Sequence, residues 1–171
     1  LLKRRKNLFK PTIFRFATAF GLSERMRYDL TINQFVLEMY VKGKIEIYDH
    51  KTWRPYCHLK DFARLMYKSF KLDSKLTDRQ VFNAGSNRNN FNKIQIAQAI
   101  KKYINGKIKI VKESKDKRNY KVNFNKLENK LNFKCQYGLD YGIRTILQNL
   151  KKQKKNNINK NFLLGNFKIK S

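Results

Sequence analysis

Apolar residues recur in this chain with two different periods, and the switches between them restrict the folds open to it. Lys107-Ile108-Lys109-Ile110-Val111-Lys112 alternates apolar with charged, the pattern of a half-buried strand. Ile45-Glu46-Ile47-Tyr48 alternates in the same way. Ile32, Phe35, Val36, Met39 and Tyr40 instead recur at helical spacing, and that run ends at Gly43 after Lys42, a helix stop. Strands alternating with helices predict an α/β fold with parallel pairing.

Taken in order, Thr12-Ile13-Phe14-Arg15-Phe16 is a strand entered through Pro11 and left through Ala17-Thr18-Ala19-Phe20-Gly21. A loop holding Arg25 and Arg27 leads to the helix from Asp29, then to the strand ending at Tyr48. Trp53-Arg54-Pro55-Tyr56-Cys57-His58-Leu59-Lys60-Asp61 reads as a turn that joins this strand to a second helix, Asp61 to about Phe70, with Phe62, Leu65, Met66 and Ser69 as its buried stripe. A polar connector from Asp73 to Arg79 gives way to a short strand, Val81-Phe82-Asn83-Ala84-Gly85, and a turn-rich loop from Asn87 to Asn90. Asn92 is placed to cap a helix from Ile94 to Ile104 with Ile96, Ala97, Ile100 and Ile104 inward. Tyr120-Lys121-Val122, a short helix from Asn125 to Leu131 and a last helix from Leu139 to Leu150 complete the body. Residues 1–11 form a basic lead-in and residues 151–171 a basic tail low in complexity, expected to be disordered, although Phe162-Leu163-Leu164 offers an apolar segment that can dock.

Arg54 carries the most pointed local chemistry. Pro55 pushes the residue before it toward an extended backbone, so a rigid fork of donors suited to phosphate or carboxylate is held out stiffly. Local chemistry leaves two roles open for it, an anion grip or a pairing with a surface acid. Asp61 is expected to cap the helix it begins, and His58 to be a hydrogen-bonded structural residue. Cys57 and Cys135 show no metal-ligand spacing and read as buried thiols, not a disulfide.

With 171 residues and 41% apolar composition the chain can build one core. No apolar run approaches a membrane span, and the basic beginning lacks a signal peptide's apolar core and cleavage site, so a soluble, cytoplasmic protein is expected. Forty Lys and Arg against 12 Asp and Glu give a net charge of +28, which invites a nucleic-acid partner. The basic residues are, however, spread over nearly every element, with true runs only at Lys3 to Lys6 and Lys151 to Lys160. Such a spread reads as compositional drift, without a dedicated nucleic-acid surface.

Several segments resemble, in order, the C-terminal half of the NAD-dependent epimerase/dehydratase family, the extended short-chain dehydrogenases that modify nucleotide-activated sugars. They are Arg15-Phe16-Ala17-Thr18-Ala19-Phe20-Gly21, Arg25-Met26-Arg27-Tyr28-Asp29-Leu30 with Asn33, Trp53-Arg54-Pro55, His58-Leu59-Lys60-Asp61, Phe82-Asn83-Ala84-Gly85-Ser86, Asp116-Lys117-Arg118-Asn119-Tyr120-Lys121-Val122 and Leu139-Asp140-Tyr141-Gly142-Ile143. The likeness covers residues 12–150 and implies the substrate-binding portion of an extended Rossmann-type enzyme. Family members bind NAD through a glycine-rich first turn and do their chemistry with a Tyr-x-x-x-Lys pair. No Gly-x-x-Gly-x-x-Gly occurs among these 171 residues. Tyr40/Lys44, Tyr67/Lys71 and Tyr103/Lys107 have the spacing but lie after the family's position for the pair, and their tyrosines are read as helix-packing residues. No catalytic residue and no metal ligand is therefore assigned, and these residues by themselves are expected to be inactive.

The resemblance implies a substrate side. Asn33 and Arg54 match positions that hold the diphosphate, Ile47 and Tyr48 the strand edge beside the base, Arg118 an arginine reaching the nucleotide, and Arg25 and Arg27 the loop near the sugar. The backbone of Phe16, Ala17 and Thr18 matches the nicotinamide end of the cofactor cleft. Two departures stand out. Asp49-His50-Lys51-Thr52 replaces a glycine-rich turn, and Asn132 replaces a glycine, a change that asparagine's tolerance of positive φ makes harmless. Three functions follow: the substrate-binding part of such an enzyme, whose N-terminal Rossmann half is a separate chain or was removed by truncation; a decayed remnant with an exposed strand edge; or a basic nucleic-acid-binding module.

Overall fold

A strand that changes neighbours partway along leads into the fold. The computed structural model describes residues 10–111, 118–153 and 158. β1 (Ile13–Phe16) runs parallel to β5 (Val81–Ala84), with Ile13 opposite Val81 and Phe16 opposite Ala84. Ala17 N–H continues the ladder to the Ala84 carbonyl at 3.0 Å. The chain then moves to a second sheet as β2 (Thr18–Phe20), parallel to β4 (Trp53–His58). The segment expected to leave the strand is thus a strand itself, because it passes from one partner to another without turning.

The larger correction concerns Trp53 to His58, expected as a turn. It is the central strand of a β2-β4-β6 sheet, and the turn lies just before it. There the Thr52 N–H reaches the Asp49 carbonyl at 3.0 Å, with Asp49 at φ 50° where the family resemblance implies glycine. Pro55 is tolerated because it sits where the ladder changes sides. Trp53, Arg54 and Pro55 pair with β6 (Asn90–Asn92), whereas Tyr56, Cys57 and His58 pair with β2.

α2 (Leu59–Ser69) follows directly, and its N-cap is His58, whose Nδ1 accepts from Lys60 N–H at 3.1 Å. Asp61 therefore does not cap its own helix. Met66 is exposed and Ser69 half-buried, so the expected stripe narrows to Leu65 with Phe62 half-buried beside it. A short helix, α3 (Ser74–Thr77), interrupts the expected connector, capped by Asp73 through Lys75 N–H at 2.8 Å.

Elsewhere local rules prevail. α1 (Thr31–Lys42) closes on Gly43 at φ 63°, whose N–H bonds the Met39 carbonyl. β3 (Lys44–Tyr48) pairs in parallel with β7 (Lys107–Val111), placing Ile45 opposite Ile108 and Ile47 opposite Ile110. Asn92 caps α4 (Lys93–Lys101) in a reciprocal box with Gln95, although the helix ends three residues short of Ile104. α5 (Asn125–Leu131) ends at Asn132, whose φ of 46° is the left-handed conformation expected for it, and α6 (Leu139–Lys152) follows. The stretch Tyr120-Lys121-Val122 is no strand; side-chain amides hold it, Asn90 bonding both N–H and carbonyl of Val122.

Two apolar clusters result. The larger joins α1, β3, α4 and α6 with Phe20 and Tyr56; the smaller joins Leu65, Phe82, Ala84, Leu127, Leu131 and Phe133. Among the described residues no helix is long and apolar enough to cross a membrane. Lys3 to Lys6, most of Lys151 to Lys160, and Phe162-Leu163-Leu164 lie outside the described residues.

Candidate functional site

β4 positions the site. Arg54 projects from its first half, where its Nη1 donates to the Trp53 carbonyl at 3.0 Å and its guanidinium carbon lies 5.1 Å from the Tyr120 ring centroid. Two residues on, and so on the same face of the strand, Tyr56 is buried with its hydroxyl beside Thr31, the first residue of α1. Burial raises the Tyr56 hydroxyl above its ordinary pKa, so it stays protonated and neutral. This chain of contacts brings the Arg54 face of β4 against the N-terminus of α1. That N-terminus has no side-chain cap and no acid in its first turn.

The loop entering α1 is pinned by Asn33. Its Oδ1 accepts from Gly21 N–H at 3.1 Å and its Nδ2 donates to the Arg27 carbonyl at 3.0 Å. Asn33 is thus buried and at least half committed to holding β2 against the loop. Arg27 forms a bidentate pair with Asp29 at 2.8 and 2.7 Å, which raises its pKa further, and Arg25 is exposed. Asn33 and Arg27 are brought together directly, and Arg25 follows from the same loop.

Phe16, Ala17 and Thr18 line one cleft of about 310 Å³ with Arg15, Pro55, Asn83, Tyr120, Val122 and Phe124. Tyr120 is the shared wall: the guanidinium of Arg54 touches its ring, and its backbone N–H bonds the Trp53 carbonyl. A second cleft of about 390 Å³ opens on the other side of that segment, between the Asp49 to Thr52 turn, Ile110, Val111 and Asn119. Asn119 Oδ1 anchors it by accepting from Trp53 N–H at 2.9 Å. Ile47 is fully buried in β3 and Tyr48 exposed at its end, where the Tyr48 carbonyl accepts from Lys93 Nζ at 2.8 Å. Arg118 is exposed one residue before Asn119. Among the described residues no cluster of three metal-ligating side chains occurs.

Sequence reasoning missed Tyr120 and Tyr56, because an aromatic that covers an arginine and one that ties a strand to a helix N-terminus both carry out that role across the fold. It also misjudged Asp61. That carboxylate is fully buried and accepts from Gln136 N–H and Tyr137 N–H at 3.0 Å and from Arg64 Nη1 at 2.6 Å. The structural role given to His58 holds. It is buried among Phe20, Tyr137 and Tyr141, and burial drives its pKa down to about 4, so it is neutral. Of the three Tyr-x-x-x-Lys tyrosines, Tyr40 packs on the larger cluster and Tyr103 bonds Asp140 at 3.0 Å. Tyr67 is mostly exposed beneath Lys71 and does not pack, because α2 turns that face to solvent.

No protein-family model matches the chain. Solved structures match its fold. An NAD-dependent NDP-hexosamine 5,6-dehydratase of tunicamycin biosynthesis aligns over 89% of this chain and 49% of its own, with a TM-score of 0.72 at 14% identity. A UDP-glucuronic acid 4-epimerase variant from Bacillus cereus, solved with NAD and a fluorinated UDP-sugar, aligns over 82% and 45%, with a TM-score of 0.68 at 17% identity. An ADP-L-glycero-D-manno-heptose-6-epimerase from Helicobacter pylori aligns over 82% and 43%, with a TM-score of 0.66 at 15% identity. The chain spans less than half the length of each, and the fold is the one these proteins use in that part.

Proposed function

We propose that this chain supplies the nucleotide-sugar-binding portion of an NAD-dependent epimerase or dehydratase, the dinucleotide-binding portion being contributed from outside these 171 residues. The observation that carries it is the meeting of Arg54 with the uncapped N-terminus of α1 across Tyr56 and Thr31. A fork of charged donors beside a helix N-terminus that no side chain caps suits a diphosphate, whose charge is spread over several oxygens. Asn33, in the first turn of that helix, would join Arg54 on the diphosphate, and Arg25 and Arg27 lie on the loop that enters the same helix end, toward the sugar. Tyr48 would border the base, with Ile47 fully buried beneath it as strand support, and Arg118 would reach the nucleotide. The backbone of Phe16, Ala17 and Thr18 would face the nicotinamide ring across the cleft under Tyr120. NAD would supply the hydride acceptor, and these residues would hold the sugar against it while Tyr120 and Phe124 exclude water.

Titration calorimetry of the purified chain with UDP-, GDP-, CDP- and dTDP-sugars tests this. Saturable binding to one class, weakened about 10-fold or more in Arg54→Ala, is expected from loss of a charged hydrogen-bonding pair. Binding left unchanged by that substitution would remove Arg54 from the site. Salt-sensitive binding to arbitrary DNA, with no response to any sugar nucleotide, would instead support a nucleic-acid module.

A further inference from the structure

The two cysteines, 78 positions apart in sequence, meet in space. Cys57 Sγ lies 3.9 Å from Cys135 Sγ, and both are free thiols. Cys57 lies in the buried half of β4, one residue before its last residue, the His58 cap; Cys135 lies in the segment between α5 and α6. The two differ in access. Cys57 is 2% exposed, whereas Cys135 is half-buried and lines two adjoining clefts of about 400 and 240 Å³. Arg88 lines both clefts, Lys102 the first and Lys134 the second, against Asp140 in the first and Glu128 in the second. Three of these charges are already engaged, Glu128 and Lys134 by each other at 3.2 Å and Asp140 by the Tyr103 hydroxyl at 3.0 Å, so Arg88 and Lys102 carry the attraction for an anion.

We propose that Cys135 and Cys57 form a thiol-oxidation site that accepts an anionic low-molecular-weight disulfide of the glutathione type and closes to an intramolecular disulfide. In the first step the Cys135 thiol loses its proton to solvent and its sulfur attacks one sulfur of the small disulfide. A mixed disulfide forms, the old sulfur–sulfur bond breaks, and the departing thiolate takes up a proton. In the second step the Cys57 sulfur, its proton passing to solvent, attacks the Cys135 sulfur and expels the second small thiolate. Two protein thiols are oxidised and one small disulfide is reduced to two thiols.

The order follows from access. Burial and the neighbouring thiol hold Cys57 protonated, well above the usual thiol range, so it is the resolving partner. The segment carrying Cys135 belongs to no helix or strand, and it is tethered one and two residues later. Gln136 and Tyr137 N–H both bond Asp61, which keeps the sulfurs in contact. Closure would fasten the end of β4 to the entrance of α6.

Oxidation of the reduced 171-residue chain in graded glutathione buffers, native and in urea, tests this. Native protein is expected to lose both titratable thiols together, with a mass lower by two hydrogens and no dimer on a non-reducing gel. Its equilibrium constant for closure should exceed that in urea by roughly 100-fold, since contact replaces a long flexible loop. The oxidised form should melt about 10 °C higher. Cys57→Ser and Cys135→Ser each remove the intramolecular product. Cys57→Ser should stop at a mixed disulfide on Cys135, and Cys135→Ser should resist modification until unfolded. A native closure constant no larger than in urea, a stable mixed disulfide in the unaltered chain, or intermolecular dimers would each overturn the proposal.

Discussion

The two apolar clusters finish differently. Around β3, helices α1, α4 and α6 close on one another, and Ile32, Val36, Ile45, Ile47, Ile96, Ile100, Ile143 and Leu150 are fully buried. Around β1 and β5 the cover stops short. Among the described residues these two strands pair only with each other, and α2 above them leaves Met66, Tyr67 and Phe70 to solvent, Phe70 at 82% exposure. Phe16 at the end of β1 is also exposed on its outer side, against Phe62. An open strand edge beside an apolar helix face is a surface that ordinarily has a neighbour. The first region is closed on its helical face, although β3 and β7 likewise pair only with each other and leave Ile110 exposed; in the second the helical face is open as well.

Asp61 joins the two regions, and its loss is expected to have the largest effect. It sits on α2, in the open region, and holds Gln136 and Tyr137 at the entrance to α6, in the closed one. Asp61→Ala would leave two backbone N–H groups and Arg64 without their buried acceptor. A loss of about 3 kcal/mol is expected in urea denaturation, with one cooperative transition for both regions. Two separate transitions in the variant would show that the regions are independently stable and joined only here.

His58 lies at the same junction and ties it to pH. Its folded pKa of about 4 is below the ordinary histidine value, so between those two values the unfolded chain binds a proton that the folded chain refuses. Stability from this group is therefore intact above pH 6.5 and falls as pH drops toward 4, by about 1.4 kcal/mol per unit across that window and close to 3 kcal/mol in all. His58→Asn keeps a good cap and removes the titration. The difference in slope between the two proteins, measured by denaturation from pH 7 to 4, isolates it from the carboxylates they share; equal slopes would mean that the imidazole is solvated.

What could be read from the residues follows the same division. Gly43 after Lys42, Asn92 before Gln95 and the alternation of β7 are local signals, and each element stands where its signal places it. β4 was not legible, since a strand containing arginine, proline and histidine is stabilised by neighbours on both sides that no local pattern announces. The partners of Asp61 lie 75 and 76 positions away, and those of Asn33 are backbone groups in a loop. Among the residues of the proposed site, Arg54 stands out in the sequence by its chemistry, whereas Tyr56 and Tyr120, which surround it, do not. A local signal can be tested by a local loss. Asn92→Ala removes one side of the reciprocal cap and should cost about 1 kcal/mol without altering the pH slope.

The smallest expected effect is the sharpest probe of the comparison. Phe70→Ser removes a large aromatic that is 82% exposed, so nothing in the described structure loses a packing partner, and stability should change by no more than about 0.5 kcal/mol. Self-association should fall, because the same ring is the most exposed part of the apolar face on α2. The variant thus separates two accounts of that face. A protein equally stable but less prone to associate, by sedimentation at increasing concentration, would mean the face awaits a partner outside these residues. A loss above about 1 kcal/mol would mean that some part of this chain beyond the described residues already covers Phe70, and the second region would then be as complete as the first.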